Sequence, residues 1–416
     1  MKVAVLGKGG REHALAISLA RTAEVVVTPG NPLIPWSTSQ SVEELIAEGD
    51  IDLVVIGSEN DLVDGQADDL RAAGVAVLGP GADGARVEGS KAYMKTLALE
   101  AGINTAAYEV FGPSRRTTAI RYAKALLERD GYVVVKTDYL MGGKGAKVID
   151  NFADLVDDID EKLADKTGIV VIEQYIDGTE VSVFAICDGT KSICLPAAQD
   201  FKRLRDDDEG PNTGGMGAWS PLPFLPDGFE DEVARTFIDP TLAALCARGI
   251  DFRGVLYAGL MIGKDGKIYL LEYNVRFGDP DSQVVLMRMT SDLAELLLAA
   301  AEGDLTRVAA PTFSDDTAVL VVAAAEEYAE VPTPRSGDII QGIPMAERNK
   351  DVTVLGAGVA HNSDEQLVTA GGRVLNVLAR GFNAKDARDK VYAALKFIGF
   401  KGIQYRDDIA EVDEAA

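Results

Sequence analysis

Short apolar runs alternate with segments of helical periodicity along the first 80 residues of the chain. The runs at 3–6, 25–27, 53–56 and 75–78 have the composition of buried strands, and apolar residues recur at helical spacing in 12–21, 41–48 and 65–73. Strand–helix alternation of this kind predicts an α/β unit with a parallel sheet, whose ligands bind at the carboxyl ends of the strands.

The pattern changes after residue 90. A helix at 90–100 is followed by strand candidates at 132–136 and 169–173, and the acidic segment 150–165 is predicted to be a solvated helix. Apolar runs at 181–184, 255–261 and 267–273 indicate an antiparallel sheet, followed by a helix at 292–302. A last unit begins after Pro311, with strands at 317–323 and 373–378 and a helix at 384–397.

Composition restricts the partners and the compartment. The 416 residues carry a net charge of −25, so duplex nucleic acid is excluded as a main partner. The three cysteines have no metal-type spacing, which indicates a reduced compartment. The N-terminus lacks a signal-type apolar region, and no apolar run reaches the ~18 residues of a membrane span. We therefore predict a cytoplasmic protein without nucleic-acid or membrane partners.

Three glycine-rich segments are candidate phosphate or substrate loops. The first, 7–12, follows a strand and opens a helix, where backbone N–H groups bind anions. Glu12 stands at the third glycine position of the dinucleotide-binding pattern, which argues against a nicotinamide cofactor. Arg11 favours a phosphate or phosphosugar as the ligand. The second, 136–145, joins Lys136 to a glycine flap with Lys144 and suits a triphosphate. The third, 210–217, follows Asp200 closely.

Glu272 and Asn274 are the sharpest candidate for a metal site. They are two residues apart on a predicted strand, so both side chains lie on one face. A carboxylate and an amide oxygen are hard ligands that suit Mg²⁺ when nucleotide phosphates complete its coordination. Arg276 falls on the same face if the strand continues, and its guanidinium is suited to bind a carboxylate or a phosphoryl group.

Several runs together resemble the phosphoribosylamine–glycine ligase family, and the resemblance covers essentially the whole chain. The runs that carry it are 9–15, 88–91, 199–203, 210–220, 254–261, 271–280, 291–293 and 405–409. The resemblance implies an ATP-grasp fold with a Rossmann-like pre-ATP-grasp domain at 1–89, a core at 90–309 with a mobile lid at about 116–186, and a C-terminal domain at 310–416.

The resemblance also implies site residues. ATP contacts are expected at Lys95, Lys136, Gly142, Gly143, Lys144, Gly145, Glu173, Tyr175, Ile176 and Glu180. Phosphoribosylamine contacts are expected at Gly9, Gly10, Arg11, Glu12, Ser90 and Lys91. Glycine contacts are expected at Asp200, Asn212, Gly214, Gly215 and Arg276. The implied metal ligands for Mg²⁺ or Mn²⁺ are Glu272 and Asn274, and the catalytic groups are Arg276, Lys136 and Asp200.

The activity implied is ADP-forming ligation of glycine to 5-phosphoribosylamine through glycyl phosphate, in purine biosynthesis, by a monomer or small homo-oligomer. Three departures from the family pattern bear on this: Ser58 before Glu59, the bulky 139–141 segment before the flap, and Phe201 in place of a histidine. Two alternatives stay open at this point, an ATP-grasp enzyme acting on another acid and a non-catalytic nucleotide-binding protein.

Overall fold

The computed structural model describes residues 1–140, 145–164 and 167–411. Across these ranges, no helix combines the length and the apolar content needed to cross a bilayer.

The N-terminal unit contains a four-stranded parallel sheet, as predicted. Its elements are β1 (Lys2–Gly7), α1 (Gly10–Leu19), β2 (Glu24–Pro29), α2 (Val42–Ala47), β3 (Leu53–Ile56), α3 (Glu59–Val63), α4 (Gln66–Ala72), β4 (Ala76–Leu78) and α5 (Ala82–Gly89). The strand order is β2-β1-β3-β4 with every pair parallel. The apolar residues of β1 and β3 are completely buried or nearly so, which explains their continuous apolar runs.

A small antiparallel sheet follows, covered by two helices. After α6 (Lys91–Glu100), which precedes it in the chain, its elements are β5 (Tyr108–Phe111), a 3₁₀ turn (Pro113–Arg115), α7 (Arg116–Asp130), β6 (Val133–Thr137), β7 (Ala146–Ile149), α8 (Phe152–Lys162) and β8 (Val170–Gln174). The order is β5-β8-β6-β7, and this part has its own apolar core. It spans 108–174, which is offset from the expected 116–186. The acidic helix α8 is not wholly solvated, since Leu155, Asp158 and Ile159 are buried.

The central unit is built around long antiparallel strands, as expected. Its elements are β9 (Gly178–Asp188), β10 (Ser192–Cys194), β11 (Gln199–Asp200), β12 (Arg203–Arg205), a 3₁₀ turn (Asp206–Asp208), β13 (Glu209–Asn212), β14 (Gly217–Ser220), α9 (Phe229–Val233), a π-helical turn (Ala234–Ile238), α10 (Asp239–Ala247), β15 (Arg253–Gly263), β16 (Ile268–Asn274), α11 (Asp281–Leu286), α12 (Leu293–Glu302) and a 3₁₀ turn (Leu305–Arg307). The sheet order is β10-β9-β15-β16, with β9 and β15 paired over eleven residues.

The last sheet draws strands from two parts of the chain. Its C-terminal elements are β17 (Thr317–Ala324), α13 (Ile343–Ala346), β18 (Val352–Gly356), β19 (Val359–His361), β20 (Leu367–Thr369), β21 (Arg373–Gly381) and α14 (Ala384–Leu395). The order is β11-β14-β17-β21-β18, so two strands from the 199–220 region complete it. The sequence-based division near residue 310 does not anticipate this pairing. The pairing of β14 with β17 places the third glycine-rich loop, between β13 and β14, against the C-terminal strands.

Candidate active site

Two buried lysines share one carboxylate beneath the small sheet. Nζ of Lys95, on α6, lies 2.9 Å from Oε2 of Glu173, and Nζ of Lys136, on β6, lies 3.2 Å from the same oxygen. All three residues are less than a tenth exposed. Burial, opposed by the charge of Glu173 and assisted by that of Lys136, lowers the pKa of Lys95 to about 8. Two cations facing one anion leave an excess positive charge suited to a polyphosphate.

Lys136 connects this cluster to the predicted metal strand. Its ammonium group donates a 3.1 Å hydrogen bond to the carbonyl oxygen of Leu271, the residue before Glu272 on β16. Burial raises the pKa of Glu272, but the positive charges of Lys202, Lys91 and Lys136 outweigh it and hold the pKa at about 2. The carboxylate is therefore ionised near neutral pH. The lysine that ends the 132–136 strand and the predicted metal ligand thus lie at one site.

Asn274 ends β16, and the strand does not continue to Arg276 as the sequence pattern allowed. Directly after the strand, the carboxylate of Glu88, near the end of α5, accepts a 2.7 Å hydrogen bond from the backbone N–H of Val275. Arg276 still reaches the same place, since its Nη2 donates to Oδ1 of Asn274 at 3.2 Å. An amide oxygen has two lone pairs, so this bond leaves one for a metal ion.

Arg276 is already engaged by two carboxylates. Its guanidinium lies 3.1 Å from Glu88 and 3.5 Å from Glu59. Against the effect of burial, these two charges raise the pKa of Arg276 above its ordinary value. Glu59 follows the Gly57-Ser58 departure from the family pattern and keeps its carboxylate at this site. A substrate carboxylate would meet an arginine whose position is fixed but whose charge is largely balanced.

The first glycine-rich loop is organised by Glu12. Its carboxylate accepts hydrogen bonds of 2.6 Å from the backbone N–H of Gly9 and from Nε of Arg11, while Arg11 also donates to the carbonyl of Phe277 at 3.0 Å. Glu12 is 3% exposed, and a Cβ at Gly57 would lie 2.1 Å from its carboxylate. Its side chain therefore holds the loop internally and ties the start of α1 to the segment after β16.

Gly10, at the first position of α1, lies against the C-terminal sheet. A Cβ placed there would lie 2.0 Å from Nδ2 of Asn376 on β21, and Asn376 is 1% exposed. Nearby, Nδ1 of His13 accepts a 2.9 Å hydrogen bond from Gly356 on β18. Burial lowers the pKa of His13 to about 4, so the ring is a neutral acceptor. The candidate phosphate loop and the start of α1 thus pack on β18 and β21, whose contacting residues lie more than 340 positions later in the sequence.

Replacing Gly10 with alanine is expected to destabilise the protein by about 1–3 kcal/mol, because the added methyl group overlaps the buried Asn376 amide. Gly112→Ala is the matched control, since a Cβ at Gly112 meets no atom within 4 Å and its φ is −101°. Thermal denaturation measures both variants. The double variant Gly10→Ala/Asn376→Ala should recover most of the loss, and equal melting temperatures for the two glycine variants would contradict the packing argument.

Ser90 and Lys91 lie where the small sheet meets α6. Oγ of Ser90 donates a 3.0 Å hydrogen bond to Oδ1 of Asp138. This carboxylate oxygen also accepts a 2.7 Å hydrogen bond from the backbone N–H of Ala92. Ser90 also caps α6 by accepting from Tyr93. Lys91 is one of the charges that lower the pKa of Glu272. Ser90 is therefore joined to the residue that follows β6, and Lys91 acts on the predicted metal ligand.

Asp200, Lys202 and Glu180 form a second charged group beside Glu272. Lys202 forms an ion pair with Glu180 at the start of β9, and its charge acts on Glu272. Within the described residues, Oδ1 of Asp200 is buried without a hydrogen-bond partner. Burial raises the pKa of Asp200 to about 7, with further contributions from Glu180 and Asp281 and an opposing one from Lys202. An unpaired carboxylate oxygen is available to a substrate ammonium group.

An Asp200→Asn variant tests this environment through the pH dependence of stability. Folded Asp200 binds a proton below about pH 7, whereas the unfolded chain does so only below about pH 4. Between these values Asp200 is ionised in the unfolded chain but protonated in the folded protein, so its contribution to stability falls as the pH rises. We expect the gain in melting temperature over the wild type to be larger at about pH 7.5 than at about pH 5, by about 2 °C or more. The exposed Asp227→Asn variant is the control, and a gain independent of pH would refute the buried-carboxylate interpretation.

The remaining predicted residues lie at the margins of this cluster. Asn212 donates to the carbonyl of Ala146 on β7 at 3.2 Å, which joins the third loop to the small sheet. Tyr175 packs against Tyr132 at a centroid distance of 5.1 Å, in the segment with Ile176 that connects β8 to β9. The carbonyl of Gly145 accepts from Thr137 at 3.0 Å. The expected flap residues Gly142, Gly143 and Lys144 lie outside the described residues.

The donor set at β16 fits a hard divalent ion that also binds phosphate. In the part of the chain that the structure describes, no three His, Cys, Asp or Glu side chains converge as a complete metal centre. Glu272 and Asn274 supply one ionised and one neutral oxygen donor, surrounded by lysines suited to phosphate groups. Sequence reasoning missed Glu88 and Asn376 as supports of the site, because each acts through tertiary contacts that no local motif indicates.

Comparison with known proteins identifies the family. Models of phosphoribosylglycinamide synthetase match in three consecutive parts: the N domain over residues 1–88, the ATP-grasp (A) domain over 89–282 and the C domain over 318–412. The phosphoribosylamine–glycine ligase of Leifsonia xyli subsp. xyli is 42% identical over 425 residues, covering 99% of both chains. That of Streptomyces coelicolor is 42% identical over 426 residues, also covering 99% of both.

Solved structures agree with this. The phosphoribosylamine–glycine ligase of Thermotoga maritima superposes with a TM-score of 0.83 at 32% identity, covering 98% of this chain and 100% of that one. The biotin carboxylase domain of a Hydrogenobacter thermophilus 2-oxoglutarate carboxylase gives a TM-score of 0.70 at 17% identity, covering 97% and 91%, which shows a shared fold. The expected α/β ATP-grasp fold is confirmed, and the chain belongs to the phosphoribosylamine–glycine ligase family.

Proposed function

We propose that this chain joins glycine to 5-phosphoribosylamine, with conversion of ATP to ADP and phosphate, in purine biosynthesis. The observation that carries the proposal is the convergence of Lys136 and Glu272 through the Leu271 carbonyl. It combines a phosphate-binding cation and a hard anionic ligand at one place. The family relatives are named for this reaction, and their similarity extends over the whole chain.

The residues present fit a divalent metal ion, Mg²⁺ or Mn²⁺, held by Glu272 and Asn274 together with nucleotide phosphates. When bound, such an ion neutralises phosphate charge and polarises the transferring phosphoryl group. Around it, Lys136 and Lys95 bind the phosphates of ATP through the excess positive charge beside Glu173. Glu180, Tyr175 and Ile176 are proposed to border the nucleoside, where β8 leads into β9.

The first chemical step activates glycine. A carboxylate oxygen of glycine attacks the γ-phosphorus of ATP, the bond to the bridging oxygen breaks, and ADP leaves with that electron pair. The product is glycyl phosphate. The chain contributes by placing the two reactants in line and by neutralising charge. Lys136 acts on the phosphoryl oxygens, Asp200 receives the glycine ammonium on its unpaired oxygen, and Arg276 orients the carboxylate beside Asn274.

The second step forms the amide. The amine of phosphoribosylamine attacks the carbonyl carbon of glycyl phosphate, inorganic phosphate leaves, and the nitrogen loses a proton. The phosphate of phosphoribosylamine is proposed to bind at the N-terminus of α1, near Gly9, Gly10 and Arg11, with Lys91 close by. Because Arg11 contacts the Phe277 carbonyl, this loop borders the segment that follows the metal ligands. No protein nucleophile is needed in either step.

The function is tested by measuring ADP release from purified protein with ATP, Mg²⁺, glycine and phosphoribosylamine generated in the assay. We expect rapid ADP formation only when both glycine and phosphoribosylamine are present, together with formation of glycinamide ribonucleotide. Alanine and bicarbonate in place of glycine serve as controls for another acid substrate. ADP release that ignores glycine, or that prefers another acid, would overturn the assignment.

The cellular setting is proposed from the same observations. The three cysteines are free thiols, one buried, one half-buried and one exposed. Free thiols persist in a reducing compartment. We propose that the protein acts in the cytoplasm.

A further inference from the structure

One arginine of the C-terminal sheet joins the two loops that border the proposed glycine site. Arg373 is the first residue of β21. Its Nη1 donates to the carbonyl oxygens of Gly214 and Asp279, and its Nη2 donates to Oδ2 of Asp279, each at 2.7 Å. Gly214 belongs to the third glycine-rich loop, and Asp279 lies three residues after Arg276. A single guanidinium therefore spans two segments separated by 65 positions in the sequence.

The two loops are also packed directly on each other. A Cβ on Gly215, which has φ of +110°, would lie 2.4 Å from Cδ of Pro280. A Cβ on Gly214 would lie 3.0 Å from Cζ of Arg373. Glycine at these positions therefore permits the loop to approach both the 279–280 turn and the guanidinium. The loop and the turn are therefore in close contact at these positions.

A tyrosine from the same C-terminal unit holds the same glycine that Arg373 contacts. The hydroxyl oxygen of Tyr328, a residue 8% exposed, accepts a 3.1 Å hydrogen bond from the backbone N–H of Gly214. The Arg373 and Asp279 side chains are only about a fifth exposed, so their charge-assisted bonds are poorly screened by solvent. Gly214 is thus held at its N–H by Tyr328 and at its carbonyl by Arg373.

We propose that Arg373, assisted by Tyr328, is a positioning residue that sets the distance between the 213–215 loop and the Arg276–Pro280 segment, and thereby the affinity for glycine. The inference rests on the proposed function, in which Arg276 orients the glycine carboxylate, and on the expected glycine contacts at Gly214 and Gly215. The nucleotide lysines Lys95 and Lys136 belong to other elements and share no contact with this guanidinium in the hydrogen bonds of the described residues. Replacing Arg373 should therefore weaken the binding of glycine and leave the binding of ATP nearly unchanged.

Steady-state kinetics of Arg373→Lys test this proposal. Lysine keeps the charge but cannot make three bonds in the fixed geometry of a guanidinium. We expect the KM for glycine to rise about tenfold or more while the KM for ATP changes by less than about twofold. Arg380→Lys, on the same strand, is the matched control and should leave both values unchanged. An unchanged KM for glycine, or equal increases for glycine and ATP, would overturn the proposal.

Tyr328→Phe provides a second test if Arg373→Lys does not fold. It removes one hydroxyl group, and we expect an increase of about threefold in the KM for glycine with the KM for ATP preserved. A folded Tyr328→Phe variant with wild-type glycine kinetics would refute the positioning role. Failure of the proposed function is recognised separately, since the wild-type protein would then show no glycine-dependent ADP release at all.

Discussion

Replacing Glu272 with glutamine is expected to reduce metal-dependent ADP formation by about three orders of magnitude. The change keeps the side-chain shape but removes the ionised donor that is proposed to hold the metal ion. Metal stabilisation of phosphoryl charge contributes several kcal/mol, and about 4 kcal/mol corresponds to a thousandfold change in rate. The structure keeps Glu272 ionised through Lys202, Lys91 and Lys136, which hold its pKa at about 2. Turnover at saturating ATP, glycine and phosphoribosylamine measures the effect.

A second measurement on Glu272→Gln separates loss of the metal from loss of the fold. With a chelator present, ATP should bind the variant at least as tightly as it binds the wild type, because a negative charge facing the phosphates has been removed. Glu109→Gln, on the exposed face of β5, is the matched control and should retain wild-type activity. Full turnover by a folded Glu272→Gln variant would remove Glu272 from the metal site.

Replacing Lys136 with methionine has the second largest expected effect. Methionine fills a similar buried volume but cannot donate to the Leu271 carbonyl or attract phosphate. Glu173 keeps its 2.9 Å contact with Lys95, so the fold should persist. We expect ATP affinity and turnover each to fall by about tenfold to a hundredfold, since a charge-assisted contact contributes about 1.5–3 kcal/mol. Equilibrium nucleotide binding and ADP release measure the two effects.

Lys147→Met is the control for this variant. Lys147 lies on β7 and pairs with Val135, the residue before Lys136 on β6. Its side chain is 54% exposed and lies beside Asp158. Removing it changes the net charge of the small sheet by the same amount without altering the buried cluster. Equal losses in the two lysine variants would show that general charge, and not the position of Lys136, governs nucleotide binding.

Much of the fold could be predicted from the sequence, because the spacing of apolar residues reflects which side chains are buried. The four parallel strands of the N-terminal unit appear as continuous apolar runs, since both faces of the sheet are covered. The pair Glu272 and Asn274 was recognisable because the side-chain period of a strand is two. Likewise, the antiparallel pairing of β9, β15 and β16 agrees with the strands predicted from the apolar runs at 181–184, 255–261 and 267–273.

What could not be predicted depends on contacts between distant parts of the chain. β11 and β14 contain two and four residues, too few for a periodic signal. β14 is a strand because it pairs with the edge of β17, and β11 pairs in turn with β14. Glu12 looked like an interruption of a glycine pattern, yet its carboxylate holds the Gly9 loop. Arg373 has no motif of its own, since its importance arises from where β21 lies relative to Asp279.

The central claim is that Glu272, Asn274 and Lys136 form one metal–nucleotide site. A crystal structure of the protein with Mg²⁺, a non-hydrolysable ATP analogue and glycine tests it most directly. The account predicts a metal ion about 2.1 Å from oxygens of Glu272 and Asn274, with a phosphate oxygen about 3 Å from Nζ of Lys136. A metal–nucleotide complex bound elsewhere, with Lys136 still directed only at Leu271 and Glu173, would contradict it.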